Sequence, residues 1–187
     1  MPLDIGLGFL VAIVITKLTM LPLDVNVLMF AVIFSVLPDF DFPLHLAKKG
    51  QKELHHEHRD LFHNPLIFLP IGFLLISFIN INMALLFFFC VLFHFIHDSI
   101  GMGWGVRWLY PFSKRYYKFF SKKDGKMSKN FLSSWAPQEQ REVALQFGDP
   151  DWLKKYLRGS PHLLLELLVF IISLAYLFYV WREQSSF

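Results

Sequence analysis

Long apolar runs separated by two polar stretches dominate the chain. The runs cover residues 3–21, 25–37, 65–81, 83–98 and 162–181, and most are apolar all round rather than along one stripe. That pattern suits helices surrounded by lipid or by other helices, not surface helices of a soluble domain. A crossing needs about 20 residues, so the second and fourth runs are short and reach that length only through their flanks or by shelter within a bundle. The fifth, LLLELLVFIISLAYLFYVW, has a marked start: Ser160 suits a helix cap and Pro161 the first helical position. The predicted fold is all-α, a polytopic membrane helix bundle of about five transmembrane helices forming one integral membrane domain over 1–187.

The polar stretches are 38–64 and 99–161. Within the second, PQEQREVALQF and DPDWLKKYLR have helical character, with Asp149 as a cap and Pro150 in the first turn of the latter. Trp152, Leu153, Tyr156 and Leu157 make an apolar stripe flanked by Lys154, Lys155 and Arg158, which predicts an interfacial amphipathic helix. Trp104, Trp108 and Tyr110 read as anchors at the membrane interface.

Composition supports a membrane protein: 55% of residues are hydrophobic and 22 are phenylalanine, more apolar surface than a soluble chain of this size normally hides. The charge distribution adds direction. Of 18 basic residues, four fall in 38–64 and twelve in 99–161, while the short connections LPLDVN and ININ carry none. By the positive-inside rule, the N-terminus and both large loops are expected in the cytoplasm and the C-terminus outside, in the cytoplasmic (inner) membrane. The basic excess is thus a topology signal and an attraction to anionic lipid headgroups, with the bilayer rather than nucleic acid as partner. The single cysteine, Cys90, excludes a disulfide within the chain and any multi-cysteine zinc knuckle. The first run has no Lys or Arg ahead of it and carries Asp4, so it reads as a retained helix rather than a cleaved signal.

Chemistry-bearing residues gather at the loop ends of these runs. LPDFDFP closes the second: Pro38 breaks the helix, and Asp39 and Asp41, two apart in an extended segment, point the same way. HHEHRDLFHNP precedes the third run and holds His55, His56, His58 and His63. On one continuous helix His58 and His63 would diverge by about 140°, so the chain is expected to bend between them, with Asn64-Pro65 starting the next helix. The fourth run ends in HFIHD, where His94 and Asp98 stack at i and i+4 and His97 lies within the same sector. Three separate segments thus deliver carboxylates and imidazoles to one membrane level. Mixed imidazole and carboxylate donors without thiolate suit zinc, with manganese or iron(II) as alternatives. Asp39, Asp41 and Asp98 would repel one another at short range unless a cation lay between them. Ion transport fits less well, because these groups lie near helix ends rather than mid-bilayer. Glu166, one turn into the fifth run, is placed to snorkel or to pair with His162.

The joint occurrence of PDFD, HRDLFH, HFIHD and GVRWLYPFS resembles the family described as inner-membrane-associated, LexA-regulated metal-dependent hydrolases, over residues of about 36 to 116. The resemblance implies metal ligation by Asp39 and Asp41 from PDxD, His58 and His63 from HRxxxH, and His94 and Asp98 from HxxxD. It also implies, by distant analogy with all-helical zinc phospholipases and nucleases, phosphoester chemistry. The chain departs from that pattern in HRDLFHN, where members often read HRGxTHS, and in Phe42, where they often carry His.

The expected function is a membrane-embedded, metal-dependent hydrolase acting at the cytoplasmic interface on an amphiphilic, phosphate-bearing substrate. In that scheme His97 or a neighbouring carboxylate serves as base, and Arg59 or Arg107 steadies the developing negative charge. The competing reading is a non-enzymatic membrane metal-binding protein, a sensor or a carrier.

Overall fold

The computed structural model describes residues 2–40, 62–101, 104–123, 126–127, 130–140, 142–143, 158 and 161–184. Asp41, His45, His55, His56, His58 and Arg59 lie outside the described residues, as does all but Arg158 of the expected interfacial helix.

Helix α1 spans Pro2–Thr19 and α2 Val25–Val36, followed by a 3-10 turn, Leu37–Phe40. Helix α3 spans Pro65–Ser77, α4 Ile81–Asp98 and α5 Pro161–Gln184. Between α4 and α5 the described residues include four short strands: β1, Ile100–Gly101; β2, Tyr116–Lys123; β3, Lys126–Met127; and β4, Leu132–Trp135. Among the described residues, three helices, α1, α4 and α5, are long and apolar enough to cross a membrane. At 1.5 Å per residue the 12 residues of α2 and 13 of α3 reach only about 18–20 Å, short of a hydrocarbon core of about 30 Å.

A helix stands at each of the five predicted runs, and the third is shorter than its run for a local reason. The apolar stretch assigned to the third run spends its last residues on a turn, in which Ile79 and Asn80 donate back to the Ile76 carbonyl at 2.9 Å. Asn80 then caps α4, its side-chain oxygen accepting from the Asn82 and Met83 amides at 2.9 and 3.2 Å. The fourth helix therefore gains length where the third loses it.

The chain divides into two compact units. One comprises 1–37, 71–94 and 153–187. Here α1 packs against both α2 and α5, and its glycines explain how. A methyl group on Gly6 would press on the Phe170 backbone of α5, and one on Gly8 would collide with the Ser35 hydroxyl of α2. Small residues at these two positions let the backbones approach closely, as in other membrane helix pairs. Likewise Gly72 of α3 accommodates the ring of Phe87 of α4. Asp24 caps α2, accepting from the Val27 amide at 2.8 Å. On α5, Leu164, Leu168, Ile172 and Phe178 stay exposed, the surface expected of a lipid-facing helix, while Glu166 is buried and pairs with His162 at 3.3 Å. The pairing expected from their i, i+4 spacing is present.

The other unit comprises 38–70 and 95–152. Its sheet modifies the all-α expectation. β2 runs parallel to β1 and antiparallel to β3 and β4. The segment YYKFFSKK supplies aromatic residues that favour a pleated, half-buried surface, with Tyr116 and Lys118 buried on one face of β2. Val106 bridges to Tyr117, bringing the GVRWLYPFS stretch against the sheet. Trp108 donates its indole N–H to the Ser99 hydroxyl at 2.8 Å.

Candidate metal centre

Asp39 reaches the site because Pro38, lacking an amide hydrogen, tightens the end of α2 into the 3-10 turn that carries it. His63 is wholly buried and stands immediately before α3. There Asn64 closes the first turn through its carbonyl, which accepts from Ile67 and Phe68 at 3.0 and 2.9 Å, and Pro65 takes the first helical position. Asp98 is the last residue of α4, and His94 precedes it by one turn. The end of α4 is fixed from outside: the Phe119 amide of β2 donates to the Ser99 carbonyl at 2.6 Å, and Trp108 holds the Ser99 hydroxyl.

These segments bring His63 Nε2 to 3.1 Å from Asp98 Oδ2 and 3.6 Å from Asp39 Oδ1. With His94, the four residues each offer a donor atom, all within 4.8 Å of one another. Two carboxylate oxygens thus face the same imidazole nitrogen, which has at most one hydrogen to give. A cation satisfies all of these donors together and removes the repulsion between the two carboxylates. The distances agree with that account. Ligand atoms 2.0–2.2 Å from zinc at tetrahedral angles lie roughly 3.3–3.6 Å apart, close to the separations of 3.1 and 3.6 Å here.

The surroundings are apolar. The ring of Phe95 meets His63 edge-on at 5.9 Å and Phe68 at 6.1 Å, and it packs against Trp108 at 6.4 Å. Such walls hold the imidazole in place and lower the local dielectric, which strengthens ligation. Asp39 and Asp98 keep partial exposure, at 26% and 14% of their side chains.

Of the residues singled out in the sequence, Asp39, His63, His94 and Asp98 come together. His97 lies in the last turn of α4, half-buried and beside Asp98 but not among the four. Arg107 sits over the rings of Tyr110 and Tyr116, 4.9 and 5.7 Å from their centroids, which fixes its guanidinium by cation–π contact. Sequence reasoning missed Asp4. It is buried in the first turn of α1, with its Oδ1 3.6 Å from His94 Nδ1, and the same nitrogen is 2.9 Å from the Ser35 carbonyl. The signal was available: an acidic residue inside an apolar run is costly there and by default marks a functional position.

The apolar helices suit a membrane protein, and the four clustered residues could hold a metal ion. No curated protein matches the chain, and no solved structure does. A family model described as YdjM inner membrane protein matches residues 4–185, almost the whole length, in agreement with the inner-membrane character of the resemblance. The chain belongs to the YdjM inner membrane protein family.

Proposed function

We propose that the protein is a membrane-embedded, metal-dependent hydrolase acting at the cytoplasmic face of the inner membrane, on a phosphoester of a lipid or another amphiphile. The observation that carries this reading is the convergence of Asp39 and Asp98 on His63 Nε2, at 3.6 and 3.1 Å, with His94 beside them. This donor set fits a divalent cation, zinc first and manganese or iron(II) as alternatives. When bound, such an ion acidifies a coordinated water and polarises the scissile group.

The protein's own residues supply the rest. Asp39, His63, His94 and Asp98 hold the ion, joined by Asp41 and His58 from the PDxD and HRxxxH motifs. His97, one residue from Asp98, takes a proton as general base. Arg107, pinned over two tyrosine rings, and Arg59 of the HRDLFH motif bind the anionic phosphate, for which a guanidinium offers a two-pronged donor. The position of the ligands at helix ends, rather than mid-bilayer, favours a substrate whose headgroup lies at the interface.

The test is elemental analysis and hydrolysis measured on the same detergent-purified protein, wild type beside His63→Ala. Near-stoichiometric metal and turnover of phosphoester lipids, both lost in the variant, support the reading. Metal without turnover of any phosphoester would leave a non-enzymatic metal-binding protein. A wild type that binds no metal after reconstitution would remove both.

A further inference from the structure

His94 Nδ1 has two acceptors in front of it. The Ser35 carbonyl, at the end of α2, lies 2.9 Å away, and Asp4 Oδ1, at the start of α1, lies 3.6 Å away. A carbonyl oxygen and a carboxylate oxygen can only accept, so the hydrogen of the neutral ring belongs on Nδ1. The lone pair is then on Nε2. All three residues are buried, with Asp4 4%, His94 2% and Ser35 1% exposed. Placing a carboxylate there is costly, and the structure offers a return only if the charge acts on something nearby.

We propose that Asp4 is a positioning residue for His94. With the Ser35 carbonyl it fixes the Nδ1–H tautomer and the ring orientation, so that Nε2 is the atom presented to a divalent cation. This rests on the metal reading above and extends it to a helix that none of the sequence motifs covers. Metal-ligating histidines commonly donate their second ring N–H to a carboxylate or a carbonyl, and loss of such a partner typically costs 10- to 100-fold in metal affinity. Two features keep Asp4 in place. It lies in the first turn of α1, where the positive end of the helix dipole favours an anion. And Gly8, one turn further along α1, admits the Ser35 hydroxyl and so lets the carbonyl-bearing end of α2 come close.

The test has two arms on full-length protein in lipid nanodiscs. The first is the ¹⁵N spectrum of the histidine side chains near neutral pH, in metal-free wild type and Asp4→Asn, with His94→Gln used to assign the signal. The expected wild type has a protonated Nδ1 and an unprotonated Nε2, shifting toward a mixture of tautomers in Asp4→Asn. A protonated Nε2 in wild type overturns the proposal. The second arm is zinc affinity by chelator competition. Asp4→Asn is expected to bind one ion per chain, as wild type does, but 10- to 100-fold more weakly. Unchanged affinity would overturn the positioning role. So would complete loss of the ion in a folded variant, which would make Asp4 a ligand itself. If wild type binds no zinc, the metal reading fails, and the tautomer arm alone decides whether Asp4 positions the ring.

Discussion

His63 and Asp98 meet at 3.1 Å although one precedes α3 and the other ends α4. The intervening chain goes up one short helix, turns at 78–80 and returns along a longer one. Ligands at the base of such a hairpin are held by two helix ends whose geometry is set elsewhere: by the Asn64-Pro65 start on one side and by the Ser99 contacts with the sheet on the other.

The two carboxylates should not contribute equally. Asp98 is the closer to His63 and the less exposed, whereas Asp39 stands 3.6 Å off with 26% of its side chain open to solvent. Asp98→Asn is expected to weaken zinc binding more than Asp39→Asn, with both at least tenfold weaker than wild type. The double variant should lose less than the sum of the two, because each single change already relieves the carboxylate repulsion. Chelator competition on the three proteins measures this. Equal losses that add without interaction would show that the two acids do not share one ion.

If the cluster holds an ion as proposed, removing it should loosen the protein. A ligand that binds only the folded chain stabilises it by about 2.7 kcal/mol at a free concentration 100 times Kd. Without it, Asp39 and Asp98 are left facing each other near one imidazole. Chelator treatment should lower the melting temperature of wild type by several degrees and leave that of His63→Ala unchanged. A shift of equal size in both would point to metal bound at some other place.

Much of this was readable from the chain alone, and what was not readable has physical causes. The HFIHD spacing fixes His94 and Asp98 on one helix face whatever the tertiary structure, and Asn64-Pro65 sets the start of α3 through local chemistry. Those features depend on a few neighbouring residues. The length of α3 did not follow from hydropathy, since an apolar run does not distinguish a helix from the turn at its end, whereas α2 ends within one residue of its predicted run. The sheet of β1 to β4 was missed because its strands are short and rich in lysine, so positive-inside bias masked the alternation of Tyr116, Lys118 and their neighbours. The pairing of Asp4 with His94 was missed for a different reason: the partner is distant in sequence, so an acid inside an apolar run marks the position without naming what it meets.

That packing can be tested directly. A Cβ at Gly8 collides with the Ser35 hydroxyl and comes within 3.0 Å of the Ala31 carbonyl, so no small rotation of one side chain relieves it. Gly8→Val is expected to destabilise the protein by about 1–3 kcal/mol, the usual range for overpacking. Because the displaced segment of α2 carries the Ser35 carbonyl, zinc affinity should fall too. Gly72→Val, which forces back only the Phe87 ring, should cost stability while leaving zinc affinity within about twofold. Thermal unfolding and chelator competition on both variants separate the two effects. If Gly8→Val retained full affinity, the Ser35 carbonyl would not be setting the ring of His94.

The contacts of His63 also bear on how the chain crosses the membrane. Asp39 follows α2, Asp98 ends α4, and both approach one imidazole, so the ends of these two elements lie on the same side. On the topology proposed from the basic residues, Lys48 and Asn130 are both expected on the cytoplasmic side. Cys90 is the one cysteine in the sequence and is buried, so a Cys90→Ser background is free of thiols. Lys48→Cys and Asn130→Cys in that background are expected to react with a membrane-impermeant maleimide in inside-out vesicles and to be protected in intact cells. A cysteine added after Phe187 should show the reverse. Labelling of Lys48→Cys from outside and Asn130→Cys from inside would place α2 and α3 on the far face of the membrane. It would then be incompatible with a shared site for Asp39, His63 and Asp98.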